Sequence, residues 1–383
     1  MRNIAVVTGT RAEYGLLKPL IQAIKEEKDF NLQLLVTGMH LMSEFGNTYL
    51  QIEKDGFTID AKIEDGLEGD DALAISSAVG RATIGFAETY HRLEPDLIIV
   101  LGDRSEILAA VTAAIIANIP VAHIHGGETT EGAYDEFIRH AITKMSHLHF
   151  ASSEVYRKRI IQMGEHPSTV FNVGAIGIDS IKNLKLLSKE EFEEAINYKL
   201  DKLNILITFH PVTLENSTAE AQFQELINAL DKLKNVTLIF TKPNSDKGGK
   251  VIIKMIDDYV NKNSNKSIAF TSLGQLRYLS ALKFVDVVVG NSSSGILEVP
   301  IFKKPTINIG ERQKGRLMTD SIINCNAKEE DITAAISVAL SVDFNKKIQQ
   351  QSNPYGNGTA TNQIMTILRK SNILNTKKSF YDF

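Results

Sequence analysis

The chain has 383 residues, 43% of them hydrophobic, enough to bury two separate cores. Its formal net charge of −4 supplies no global basic field, which argues against nucleic acid or an anionic membrane surface as a partner. A single cysteine, Cys325, excludes an intramolecular disulfide and fits a reducing compartment, so a cytoplasmic protein is expected.

The first apolar run, residues 4–7, is too short for a signal-peptide core and reads as a strand. Further strands are expected at 32–37, 96–101, 121–124, 149–151, 170–173, 205–209, 237–241, 268–270, 286–289 and 306–309. Most are continuous β-branched runs, the pattern of strands covered by helices on both faces. Amphipathic stretches lie between them: Leu16, Leu17, Leu20, Ile21 and Ile24 share one helical face. The apolar segment 107–124 is broken by Thr112, Asn118 and Pro120 and reads as a helix followed by a strand, not a membrane span. Such alternation implies parallel sheets. It restarts after Gly174 and Gly177. Residues 1–172 are therefore expected to form one Rossmann-like domain and 173–364 a second, with a C-terminal helix at about 365–383 packing back on the first. The expected architecture is α/β: two doubly wound Rossmann-like domains facing across a cleft.

Open α/β sheets bind ligands in the loops after their strands. In the first half those loops hold Gly9-Thr10-Arg11, Gly38-Met39-His40, Gly102-Asp103-Arg104 and His125-Gly126-Gly127-Glu128, and Asp135 opens the next helix. In the second half they hold His210-Pro211, Pro243-Asn244, Gly290-Asn291-Ser292-Ser293-Ser294-Gly295 and the segment from Arg312 to Arg316. The turn 290–295 joins a β-branched run to a short helix, aiming backbone N–H groups and a positive helix end at one point, as phosphate sites do. Glu298, one helical turn on, suits a sugar diol. The same residues also make a serine-capped helix with a solvated glutamate. The second half thus offers donors for a nucleotide diphosphate, while Asp103, His125, Glu128 and Asp135 in the first half suit proton transfer. Plainer readings stand beside these. Asp103 and Arg104 can pair with each other at a strand end, and Asp135 can be an ordinary first-turn acid. His123, His125, His140, His147 and His149 lack a recognised ligand spacing, so no metal is expected. Neither a G-x-G-x-x-G fingerprint nor a G-K-[ST] loop is present at these turns.

Taken together, Gly9-Thr10-Arg11-Ala12-Glu13-Tyr14, Val36-Thr37-Gly38-Met39-His40, Gly102-Asp103-Arg104, His123-Ile124-His125-Gly126-Gly127-Glu128, Ile138-Arg139-His140, Phe209-His210-Pro211-Val212-Thr213, the turn 290–295 and Arg312-Gln313-Lys314-Gly315-Arg316 resemble the hydrolysing UDP-N-acetylglucosamine 2-epimerases. The similarity runs in order from the first strand to about residue 320. It implies the two-domain GT-B fold. It also implies conversion of UDP-N-acetylglucosamine to UDP and N-acetylmannosamine through a 2-acetamidoglucal, for sialic-acid-type sugars. A sister branch acts on UDP-2,4-diacetamido-2,4,6-trideoxyglucose toward legionaminic acid, and a GT-B glycosyltransferase or a non-catalytic nucleotide-sugar sensor are the other readings. Carried over residue by residue, Arg11, His40, Arg104, His210, Asn244, Ser292, Ser293, Ser294, Gly295, Glu298, Arg312 and Arg316 hold the UDP-sugar. Asp103 acts in proton transfer, with Glu128, His125 and Asp135 as the further candidates. Many relatives carry glutamate where this chain has His125, and aspartate where it has Tyr134. No cofactor is implied, no metal is needed to balance the diphosphate, and a homodimer or homotetramer is expected.

Overall fold

The computed structural model describes residues 1–69, 71–129, 134–211, 219–243, 249–371 and 377–382. Two units emerge, Met1–Asn183 with Pro354–Phe383, and Leu184–Asn353. In the first unit, β1 (Arg2–Thr8), β2 (Phe30–Thr37), β3 (Ala61–Ile63), β4 (Leu97–Leu101), β5 (Val121–Ile124), β6 (Leu148–Ala151) and β7 (Val170–Asn172) form a parallel sheet in the order β3-β2-β1-β4-β5-β6-β7. Alternate residues of a strand face opposite sides of the sheet. Ile4 and Val6 of β1, with Leu97, Ile99 and Leu101 of β4, enter one core, whereas Ala5, Val7, Ile98 and Val100 enter another. Two buried faces explain why these strands are apolar without interruption.

The second unit repeats the plan with β8 (Leu203–Thr208), β9 (Val236–Thr241), β10 (Ser267–Phe270), β11 (Val287–Gly290), β12 (Thr306–Ile309) and β13 (Ile322–Cys325), in the order β10-β9-β8-β11-β12-β13. Ile205, Ile207, Val287, Val289, Ile307 and Ile309 lie in its core. Each sheet grows outward in both directions from a central pair, β1/β4 in the first and β8/β11 in the second. Loops diverge at such a switch point and leave room for a ligand.

The first unit extends to Asn183, past the junction expected at 172/173. The helix Gly177–Asn183 packs on the helix Arg11–Glu26, where the Ser180 hydroxyl donates to the Gly15 carbonyl at 3.2 Å. Asp179 accepts the N–H groups of Ala360 (3.1 Å) and Thr361 (2.5 Å), so it caps the helix Ala360–Lys370. Re-entry at Pro354 precedes the expected 365 for the same reason. Among the described residues no helix is long and apolar enough to cross a membrane.

Candidate active site

In the first unit the loops at the β1/β4 switch point carry residues 9–11 and 102–104. Thr10 caps the helix Arg11–Glu26, and Glu13 returns to accept the N–H groups of Gly9 (2.7 Å) and Thr10 (3.1 Å). Burial, then the nearby Glu106 charge, push the Glu13 carboxyl up to about 7. Arg11 stands exposed in the first turn. A Cβ on Gly9 would run into the Glu106 side chain, which would have to shift from its place against Arg104.

Asp103 and Arg104 do not pair with each other. Arg104 Nε meets Glu106 at 2.6 Å, and Glu106 is almost fully buried. The Asp103 carboxylate instead takes Arg139, whose guanidinium is 7% exposed and also donates to the Glu128 carbonyl (3.1 Å) and to Glu136 (3.3 Å). Arg139 thereby fixes two candidate proton carriers through one planar fork. It lies on the helix Asp135–Met145, one turn beyond Asp135. Burial raises the Asp135 carboxyl above its ordinary range; Arg104 works against that shift and Glu106 with it. Beneath these groups, His123 contacts the Gly102 carbonyl (2.7 Å) and Thr143 (3.2 Å), bracing the Asp103 loop from inside.

Glu128 follows β5. Its Oε1 accepts the Ser152 hydroxyl at 2.6 Å and lies 3.3 Å from His125 Nδ1. His125 has φ +64, a left-handed backbone uncommon outside glycine. Its Nε2 accepts the Ile176 N–H at 3.2 Å. The other histidines are committed elsewhere. His140 meets Glu136 (3.0 Å), His149 meets Glu165 (3.0 Å), and His147 accepts the Val121 N–H (3.2 Å). Among the described residues no group of three or more His, Cys, Asp or Glu is placed to hold a metal ion.

His40 needs correction. Its carry-over role as a UDP contact requires a reachable ring, yet it is fully buried between Thr8 (3.1 Å) and Thr48 (2.7 Å). Burial pushes its pKa down to about 4, so it stays neutral and holds the loop after β2 in place.

In the second unit Asn291, immediately after β11, is the hub of the switch point. Its side chain accepts the His210 N–H (2.7 Å) and donates to the His210 carbonyl (2.9 Å). Its own carbonyl takes Arg312 and Gln313, both at 2.9 Å. Gly290 has φ +142, and a Cβ there would strike the Thr208 carbonyl, so the turn can start only at a glycine. Ser292 and Ser293 line the partly exposed turn, and Gly295 lies against Thr306. Partial burial and the Arg316 charge hold the Arg312 guanidinium below its ordinary value. Neither arginine has a carboxylate partner among the described residues; Glu311, their neighbour, pairs with Lys314. Arg312, on the Asn291 carbonyl beside a hydroxyl-rich turn, and Arg316 near it have the chemistry suited to an anion.

The Ser294 hydroxyl has partners within the unit. A carboxylate only accepts, so the Ser294 hydroxyl donates to Glu298 and must accept from Tyr278 (2.6 Å). The hydroxyl hydrogen of Ser294 is therefore used to orient Glu298. Burial raises the Glu298 carboxyl, with the Ser294 hydrogen bond opposing. Asn244 lies outside the described residues.

Sequence reasoning passed over Arg139, Glu106, Ser152, Tyr278, Asn291 and Gln313 as site residues. Arg139 had two available signals, its place in the Ile138-Arg139-His140 motif and its i+3 spacing from Glu136 on a helix. Ser152 and Tyr278 had none, because their partners are distant in sequence.

Residues 22–369 match the family model described as UDP-N-acetylglucosamine 2-epimerase. The chain is 45% identical over 330 residues, 86% of each protein, to the GDP/UDP-N,N'-diacetylbacillosamine 2-epimerase (hydrolyzing) of Campylobacter jejuni. It is 38% identical over 369 residues, 96% of each, to the UDP-N,N'-diacetylbacillosamine 2-epimerase (hydrolyzing) of Legionella pneumophila. Its fold is similar to that of the Neisseria meningitidis UDP-GlcNAc 2-epimerase bound to UDP-GlcNAc, with a TM-score of 0.77 at 19% identity, over 97% of this chain and 100% of that one.

Proposed function

The chain belongs to the hydrolysing UDP-N-acetylglucosamine 2-epimerase family, and from that premise we propose that it acts on UDP-N,N'-diacetylbacillosamine, releasing UDP and the free 2-epimeric sugar. A base takes the C2 proton while the C1–O bond to UDP breaks, leaving a 2-acetamidoglucal. Water then adds, its hydroxyl at C1 and a proton at C2 on the opposite face.

The observation that carries this reading is a set of oriented carboxylates after the neighbouring strands β4 and β5. Asp103 is held by Arg139, Glu128 is held by Ser152 with His125 Nδ1 against it, and Asp135, close to Arg104 and Glu106, opens the helix that carries Arg139. Elimination followed by hydration moves protons both off and onto carbon, which needs more than one such group. We assign Asp103 and Glu128 to those transfers and Asp135 to the supply of a proton, consistent with its raised pKa. Arg312, Arg316 and the hydroxyl and backbone N–H groups of Ser292 and Ser293 take the diphosphate, whose charge grows as it leaves, with Gly295 leaving room for the turn. Glu298 takes the ribose diol, and Arg11, Arg104, His210 and Asn244 are assigned to the nucleotide as well.

Glu298→Gln keeps the shape but removes the charge that strengthens bonds to hydroxyls. UDP affinity should fall by about 1–3 kcal/mol. Parental UDP binding by calorimetry would put Glu298 outside the ribose site.

The two hydrolysing relatives support the diacetamido sugar; the family model's description supports UDP-N-acetylglucosamine as the second reading. These sugars differ at C4, acetamido against hydroxyl, and at C6, methyl against hydroxymethyl. The test is kcat/KM measured on both. We expect the diacetamido sugar to be preferred, and a preference for UDP-N-acetylglucosamine would replace the first reading by the second.

A further inference from the structure

We propose that His125 is a positioning residue that acts through Glu128 and does not itself carry a proton in the reaction. The inference rests on the assignment of Glu128 to proton transfer. A backbone N–H can only donate, so the Ile176 N–H at 3.2 Å requires a lone pair on His125 Nε2. A neutral ring with its lone pair there carries its hydrogen on Nδ1, which lies 3.3 Å from Glu128 Oε1. The tautomer is set from one side and used on the other.

The Ser152 hydroxyl donates to the same oxygen at 2.6 Å. Oε1 thus takes the Ser152 hydrogen bond and the close approach of His125 Nδ1, and among the described residues no donor is found on Oε2. Oε2 is thus the oxygen left to face a reacting atom. The left-handed backbone at φ +64 aims the ring along this line, and its side chain is only 15% exposed.

A proton-carrying His125 would have to break this arrangement. Adding a proton to Nε2 sets two N–H groups against each other, and removing the one on Nδ1 leaves two lone pairs facing. The other charged or titratable groups around the ring are tied to its own loop or strand. Arg139 holds the Glu128 carbonyl, Arg159 holds the Gly127 carbonyl (2.6 Å), and buried His123 lies two residues back on β5.

The experiment compares the parent enzyme with His125→Asn, Glu128→Gln and the double variant, because asparagine tolerates positive φ. His125→Asn should lower kcat by about 10–100-fold, as loss of an orienting partner does, with KM moving less. Both limbs of the pH–rate profile should persist, and the double variant should be no slower than Glu128→Gln alone. Loss of one limb, rescue by added imidazole, or a double loss equal to the product of the single losses would make His125 a proton carrier and overturn the proposal. A Glu128→Gln enzyme with parental kcat would instead remove Glu128 from the chemistry, and the positioning role with it. Should His125→Asn fail to fold, ¹⁵N NMR of the parent still decides. Hydrogen on Nδ1 at the pH of maximal activity is expected; hydrogen on Nε2 contradicts the proposal.

Discussion

Asp103→Asn should lower kcat by about 10²–10⁴-fold, the range expected when a positioned proton-transfer group is removed, while UDP affinity stays near that of the parent. The substitution keeps the side-chain shape, and its amide oxygen can still accept from Arg139, so the loop geometry survives. Arg139 retains Glu136 and the Glu128 carbonyl as partners, which limits the effect on stability. What is lost is the basic carboxylate. Calorimetry with UDP and circular dichroism would establish that binding and fold persist. Normal turnover by such an enzyme would take Asp103 out of the reaction and leave the phosphate donors of the second unit untouched.

Arg139→Gln should act on stability and rate together. The guanidinium is 7% exposed and holds Asp103, Glu136 and the Glu128 carbonyl at once. Removing one partner of a buried pair typically costs 3–5 kcal/mol, because the remaining charge stays desolvated. Asp103 keeps about a fifth of its side chain in water, so a loss near the lower end, about 3 kcal/mol, is expected. It should appear as a lower urea midpoint. Turnover should fall even where the variant remains folded, since Asp103 loses its orientation. Arg139→Lys keeps the charge but not the fork and should recover stability more than rate. Parental stability and turnover in Arg139→Gln would show that the carboxylates are held by other contacts.

Periodicity in the sequence was a good guide wherever a strand is buried on both faces, as β1, β4, β8 and β11 are. It failed at β3 and β13, two of the four edge strands. Ala61-Lys62-Ile63 is half exposed and has no continuous apolar run, and Ile322–Cys325 lies partly in solvent. Both edges form by pairing with a neighbour, a constraint absent from their own residues. In the site, the strand-end rule located the loops but not the direction of each side chain. His40 sits in such a loop and turns inward to two threonines, while Ser294 spends its hydrogen on Glu298. Adjacency in the sequence suggested an Asp103–Arg104 pair, yet the fold assigns them different partners, Arg139 and Glu106. Those pairings depend on which helix crosses which strand end, and only three-dimensional packing sets that.

The central claim is elimination followed by hydration, and turnover of the UDP-sugar in deuterated water, followed by proton NMR, tests it most directly. UDP should appear without any acceptor, together with a free 2-epimeric sugar carrying deuterium at C2. A product that keeps its original C2 hydrogen, or UDP release that waits for an acceptor, would contradict the account.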